Sequence, residues 1–158
     1  MNKSENSEKS IIIVDTREQE PYEFDPETVE VKRQALSAGD YSIDGFEDQV
    51  CIERKSLQDY VQSVIKQRDR FLKEVKKLSE IPHCCIVVEC DLADIMGKRY
   101  RSGAHPNSVL GATLSLMIDH EVPVCFCSDR QLAKTFVEGY LKRVYRKLIS
   151  ETTKENEE

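Results

Sequence analysis

The first apolar run of the chain, Ile11 to Val14, is continuous, β-branched and closed by Asp15. Such a run suits a strand covered on both faces that delivers polar groups at its end. After a loop punctuated by Pro21 and Pro26, Val29, Val31 and Ala35 alternate with polar neighbours, the period of a second strand. Gly39 marks a bend. Tyr41 to Ile43 and Val50 to Glu53 then flank Asp44-Gly45, a hairpin signal with a loop longer than the two-residue minimum, so these two segments are expected to pair antiparallel.

From Ser56 the period changes. Leu57, Tyr60, Val61, Val64, Ile65, Phe71, Leu72, Val75 and Leu78 recur at three- and four-residue spacing, which predicts one long helix facing the core. Cys84 to Cys90 read as a further strand and Asp91 to Met96 as a short helix or turn. Asn107 is expected to cap a helix that carries Val109, Leu110, Leu114, Leu116, Met117 and Ile118 nearly all round, implying deep burial or a subunit contact, before Pro123 stops it. A strand at Val124 to Cys127 and a helix from about Asp129 to Ile149 complete the pattern. The expected organisation is a flexible segment at 1–10, a single α/β domain at 11–149 and an acidic disordered tail at 150–158.

Composition narrows this picture. The 158 residues suffice for one core and leave no room for a second independent domain, and 39% apolar with 33% charged residues is the balance of a soluble globular protein. No stretch is apolar for long enough to cross a bilayer, and the first ten residues lack the apolar segment of a secretory signal, so an intracellular setting is expected, cytoplasmic or, in a eukaryote, nuclear. The six cysteines include no CxxC pair and fit buried thiols of a reduced compartment. A zinc site at His83-Cys84-Cys85 with Cys90 is the alternative, for which adjacent cysteines are poorly spaced.

A net charge of −6 argues against a generic nucleic-acid binder and confines any phosphate contact to local basic groups. Two are present. Lys66, Arg70, Lys73 and Lys77 recur along the polar side of the long helical pattern, and Lys98, Arg99 and Arg101 form a basic loop. Taken singly, each residue reads first as part of a solvated charged face.

The chemistry-bearing constellation is D-x(12)-E-x-K, made by Asp40, Glu53 and Lys55. Alternate strand residues share a face, so Glu53 and Lys55 point the same way, and the hairpin returns them to Asp40. Carboxylates so placed can hold a hard cation against a scissile phosphate while the lysine orients or deprotonates the attacking water. An E-x-K triplet alone is a weak signal, since charge pairs on strands are common. Asp15, Arg17 and Glu18 at the end of the first strand add weight, although Arg17 has a structural alternative as an ion pair with Glu18 or Glu20. Ser56 to Asp59 also fits a capping box, which would occupy Asp59 structurally. Arg68 interrupts the apolar stripe and is expected near the core side, with a carboxylate or phosphate partner.

Together, DTRE at 15–18, GDY at 39–41, IERKS at 52–56, Asp59, Arg68 and HPNSVLGATLSLMIDHEVPV at 105–124 resemble the XPF-type structure-specific endonuclease domain, over about Ile11 to Leu148. The resemblance implies a restriction-endonuclease-like core, a central mixed sheet flanked by helices. It implies Asp40 and Glu53 as the principal ligands of Mg²⁺ or Mn²⁺ with Asp15 as a supporting acidic ligand, Asp59 as a further acidic group and Lys55 as the catalytic lysine. Arg17, Arg54 and Arg68 would face phosphate or order the site. It also implies action on DNA in repair or recombination, and pairing as a homodimer or heterodimer through the C-terminal helices. Family nucleases that cut branched DNA usually carry a tandem helix–hairpin–helix domain, which these 158 residues do not contain, so flap or fork selectivity would fall to a partner. The competing readings are a non-catalytic scaffold that binds DNA or a partner, and a restriction or mobile-element enzyme on the same core.

Overall fold

The computed structural model describes residues 9–157. Six strands form one mixed sheet: β1 (Ser10–Val14), β2 (Val29–Arg33), β3 (Tyr41–Ile43), β4 (Val50–Lys55), β5 (His83–Val88) and β6 (Val124–Phe126). Their spatial order is β2-β1-β3-β4-β5-β6. β1 runs parallel to β2 and antiparallel to β3, the β3–β4 hairpin is antiparallel as its Asp44-Gly45 turn requires, and β4, β5 and β6 are mutually parallel. The helices are α1 (Leu57–Val64), α2 (Arg68–Ser79), α3 (Leu92–Met96), α4 (Pro106–Ile118) and α5 (Arg130–Glu155).

Strand alternation sorts the core into two layers. Ile13, Cys51, Cys84, Ile86 and Val88 pack against the buried side chains of α1, α2, α3 and α4. Ile12, Val14, Val50, Ile52, Cys85 and Val87 pack on the other face against Ala133, Val137, Leu141, Val144 and Leu148 of α5 and against Tyr22 and Phe24. All six cysteines are free thiols, and among the described residues no three His, Cys, Asp or Glu side chains gather as a metal-binding group, at His83–Cys85 or elsewhere.

Several expectations need correction. The long helix is two, because Lys66-Gln67-Arg68 is polar where the stripe next requires an apolar residue, and the chain turns there. Arg68 therefore heads α2; it is half-buried and makes no hydrogen bond or ion pair among the described residues. His105, not Asn107, caps α4: its Nδ1 accepts the Asn107 N–H at 3.0 Å, and Pro106 occupies the first helical position, where its missing N–H costs nothing. The tail is not disordered as far as Glu155, since α5 continues through it, although Leu148 is the last residue of its buried seam. Ala35 lies beyond β2 and is exposed. Of the flexible segment expected at 1–10, residues 1–8 lie outside the described residues, and Ser10 already opens β1.

Candidate active site

Gly39 sets the geometry of Asp40. It sits at φ +72°, and a Cβ there would collide with Cys51 Sγ and lie 3.1 Å from the Ile52 carbonyl oxygen, so glycine alone lets the chain pass β4 this closely. Asp40 is then fixed at three atoms. Its N–H donates to Ile52 O at 2.8 Å, its carbonyl accepts the Asp15 N–H at 2.8 Å, and its Oδ2 accepts the Arg54 N–H at 2.8 Å.

Glu53 and Lys55 lie on the same face of β4, as the period of two demands, with Lys55 Nζ 3.4 Å from Glu53 Oε1. The ammonium also lies 5.2 Å from the ring centroid of Phe71, a core residue of α2 that holds it over its face. Burial and the nearby Glu53 charge push the Asp40 carboxyl up to about 8. Burial likewise raises Glu53, against the pull of Lys55 and with a further push from Glu74 of α2. Two half-buried carboxylates therefore resist being charged together. Asp40 Oδ1 and Glu53 Oε2 accept no hydrogen bond among the described residues.

These groups open into a cleft of about 460 Å³, lined by Arg17, Glu18, Asp40, Glu53, Lys55 and Asp59 among others. Asp59 divides its roles: its backbone N–H donates to Ser56 Oγ at 3.2 Å, capping α1, while its carboxylate makes no return bond and faces the cleft. Asp15 departs from expectation. Its carboxylate accepts the Leu36 N–H at 2.8 Å, Arg17 Nε at 2.9 Å and the Arg17 N–H at 3.2 Å, so it is turned into the fold. Burial raises the Asp15 carboxyl, but these hydrogen bonds outweigh it and leave it below the ordinary value. Asp15 thus braces Asp40 through the backbone instead of joining it, and among the described residues no three acidic, histidine or cysteine side chains converge as a metal-binding group. The partner of Arg17 is Asp15, not Glu18 or Glu20.

Arg54 also takes a definite role. With its side chain only 8% exposed, it makes paired bonds of 3.1 Å to both oxygens of Glu18 and a 2.7 Å bond to Glu89 Oε1. The residue lines the cleft, and its guanidinium is taken up by these two carboxylates. Glu89, Tyr22 and Arg130 were not singled out from the sequence. A signal for Glu89 existed: like Asp15, it follows the apolar run of a strand.

The basic groups lie at the periphery. Lys66, Arg70 and Lys73 are exposed, at the α1–α2 turn and along α2. In the loop before α4, Arg99 pairs with Asp94 at 2.7 Å, and the Arg101 backbone N–H donates to Gln58 Oε1 at 3.2 Å, tying the loop to α1 beside Asp59.

A mixed sheet flanked by helices, with an Asp, a Glu and a Lys gathered at one hairpin, is the architecture of the restriction-endonuclease-like class. Within that class the chain belongs to the ERCC4 domain family, which matches residues 14–139. It is 35% identical over 97 residues to the 3'-flap repair endonuclease Xpf of Saccharolobus solfataricus, covering 61% of this chain and 38% of that protein. It is 29% identical over 120 residues to a putative ATP-dependent RNA helicase of Methanocaldococcus jannaschii, covering 76% of this chain and 14% of that protein. The chain thus spans well under half the length of these curated relatives. Two solved structures of XPF from Aeropyrum pernix share the fold. The complex with DNA has a TM-score of 0.68 at 23% identity, covering 87% of this chain and 66% of that one. The other has a TM-score of 0.66 at 23% identity, covering 85% and 61%.

Proposed function

We propose that the chain is a Mg²⁺- or Mn²⁺-dependent endodeoxyribonuclease that hydrolyses phosphodiester bonds of branched DNA in repair or recombination. The observation that carries this reading is the juxtaposition of Asp40, held by the Arg54 N–H, with Glu53 and Lys55 in one open cleft. The two carboxylates fit a hard divalent cation: each keeps one free oxygen, and together they form a charge pair that burial penalises and a cation would relieve. Magnesium bound by one or two carboxylates keeps several waters, so a third protein ligand is not required. When bound, the ion would polarise the phosphate and lower the pKa of attacking water.

The chain's own residues do the rest. Asp40 and Glu53 would hold the cation, and Lys55, kept in place by Phe71 and Glu53, would orient the attacking water or take its proton. Asp59 adds negative charge at the cleft mouth. The exposed Arg17, whose Nε donates to Asp15 and whose Nη2 donates to the Leu36 carbonyl, has Nη1 left to meet phosphate. Lys66, Arg70 and Lys73, with Arg68, Arg99 and Arg101 at the edges, carry the flanking backbone. The 3'-flap repair endonuclease activity of the Saccharolobus relative, together with the DNA bound to the Aeropyrum protein, supports branched DNA as the substrate.

The apolar residues exposed on α4 and α5, Leu114, Met117, Ile118, Leu132 and Phe136, support pairing with a second copy or a related domain. A repair role would fit a location in the cytoplasm or, in a eukaryote, the nucleus. Incubation of purified protein with linear, forked and flapped DNA in Mg²⁺ or Mn²⁺ tests the proposal: EDTA-sensitive cutting is expected. Binding without cutting of any substrate would leave the scaffold reading in its place.

A further inference from the structure

We infer that Glu89, at the end of β5, is a positioning residue for the proposed nuclease site and acts through Arg54, with Tyr22 and Arg130 holding it in turn. The claim rests on the proposed endonuclease reading for its activity arm only. Arg54 is the middle residue of the Glu53-Arg54-Lys55 triplet. Its side chain points to the face opposite Glu53 and Lys55, while its backbone N–H, 2.8 Å from Asp40 Oδ2, aims the candidate metal-binding carboxylate. Whatever fixes the Arg54 side chain fixes that donor.

Glu89 grips the triplet twice. Its Oε1 accepts Arg54 Nη1 at 2.7 Å, and its backbone N–H donates to the Lys55 carbonyl at 2.9 Å. Its other oxygen, Oε2, accepts the Tyr22 hydroxyl at 2.9 Å and faces Arg130 Nη1 at 3.5 Å. Arg130, in the first turn of α5, lies 4.7 Å from the Tyr22 ring centroid and donates to the Glu20 and Pro21 carbonyls at 2.7 and 3.0 Å, in the loop that carries Glu18. The chain of groups therefore runs from α5, through the loop after β1 and the end of β5, to the catalytic strand.

Stability alone is a weak reason for this network. The side chains of Glu18, Glu89 and Arg54 are 6%, 9% and 8% exposed, and burying charges costs desolvation that well-packed apolar residues avoid. One guanidinium between two carboxylates leaves a surplus negative charge, which Arg130 balances. What the arrangement supplies is direction: a fork with both ends occupied cannot rotate, so the Arg54 backbone cannot drift from Asp40.

Glu89→Gln removes the charge and keeps the shape, Glu89→Asp keeps the charge on a shorter arm, and Tyr22→Phe removes only the hydroxyl. Each is assayed for cleavage of flapped DNA, melting temperature and amide hydrogen exchange. For Glu89→Gln the expected result is a kcat reduced by about tenfold or more with KM within about twofold, because misplacement of a reacting group is costly in rate. Exchange of the Arg54 amide should accelerate by about tenfold while the Ile86 amide, bonded to Pro123 O in the adjoining strand, stays protected. Glu89→Asp should recover part of both losses, and Tyr22→Phe should show a smaller version. Unchanged Arg54 exchange, or a rate loss that merely follows a fall in melting temperature in all three variants, would overturn the inference. A wild-type chain that cuts no DNA would defeat the endonuclease reading, while the exchange measurement would still decide the role of Glu89.

Discussion

Asp40 is held at its amide, its carbonyl and one carboxylate oxygen, and it lines a cleft together with a second half-buried acid, Glu53. That is a costly place for a charge. Its raised pKa means that the folded protein binds this proton more tightly than the unfolded chain, so without metal the contribution to stability is fully present below the ordinary value of 3.8 and is lost as pH rises towards about 8. Glu18 works in the opposite sense. Burial raises it, but Arg54 and the Glu20 N–H outweigh that and lower it from 4.5, so its contribution is present above 4.5 and is lost as pH falls below. Metal-free protein should therefore melt at higher temperature at pH 5 than at pH 8, and Asp40→Asn should remove most of that slope. The variant should gain on the order of 2 kcal/mol at pH 8 while losing cleavage. Differential scanning calorimetry in EDTA across this range checks both, and a flat wild-type profile would count against it. At this scale the sequence was informative about Asp40, Glu53 and Lys55, because strand alternation is local. The partners of Asp15 and Arg54 were not legible: Leu36 and Glu89 reach them only through strand order, which no local pattern encodes.

Among the elements, the β3–β4 hairpin bears the site, and its approach to the preceding bend depends on Gly39. Gly39→Ala meets both a positive φ and the Cys51 thiol, and should cost about 2–4 kcal/mol in denaturant unfolding while displacing Asp40. Gly103→Ala, where a Cβ meets nothing within 4 Å, serves as the control and should change little. The hairpin was readable because Asp44-Gly45 lies between two apolar segments. The α1–α2 break was not, since no glycine or proline announces it and the stripe resumes in nearly the same phase. The continuation of α5 to Glu155 was missed for a different reason: its last turns rest on local helix hydrogen bonds such as Thr152 Oγ1 to Leu148 O at 3.0 Å, without the apolar period that marks a buried helix.

In the molecule as a whole, a net charge of −6 coexists with an acidic cleft, so the proposed affinity for DNA would come from the exposed cations around it. Replacing Lys66, Arg70 and Lys73 together by alanine should raise Kd about tenfold or more and flatten its salt dependence, with melting temperature unchanged, as fluorescence anisotropy titrations at several salt concentrations would register. An unaltered salt slope would move the DNA path elsewhere. The class of fold was legible because alternating strand and helix patterns leave few topologies for 158 residues, whereas the two-layer division of α1–α4 from α5 emerged only from the assembled sheet.

The central claim, that the Asp40, Glu53 and Lys55 constellation cuts phosphodiester bonds, is tested most directly by single-turnover cleavage of a 3'-flapped DNA in Mn²⁺ by wild type and Glu53→Gln. Binding of the same DNA is measured alongside in Ca²⁺. The account predicts metal-dependent cutting by wild type and a loss of about 10³-fold in the variant, with affinity preserved. Equal cutting by both proteins, or none by wild type, would contradict it.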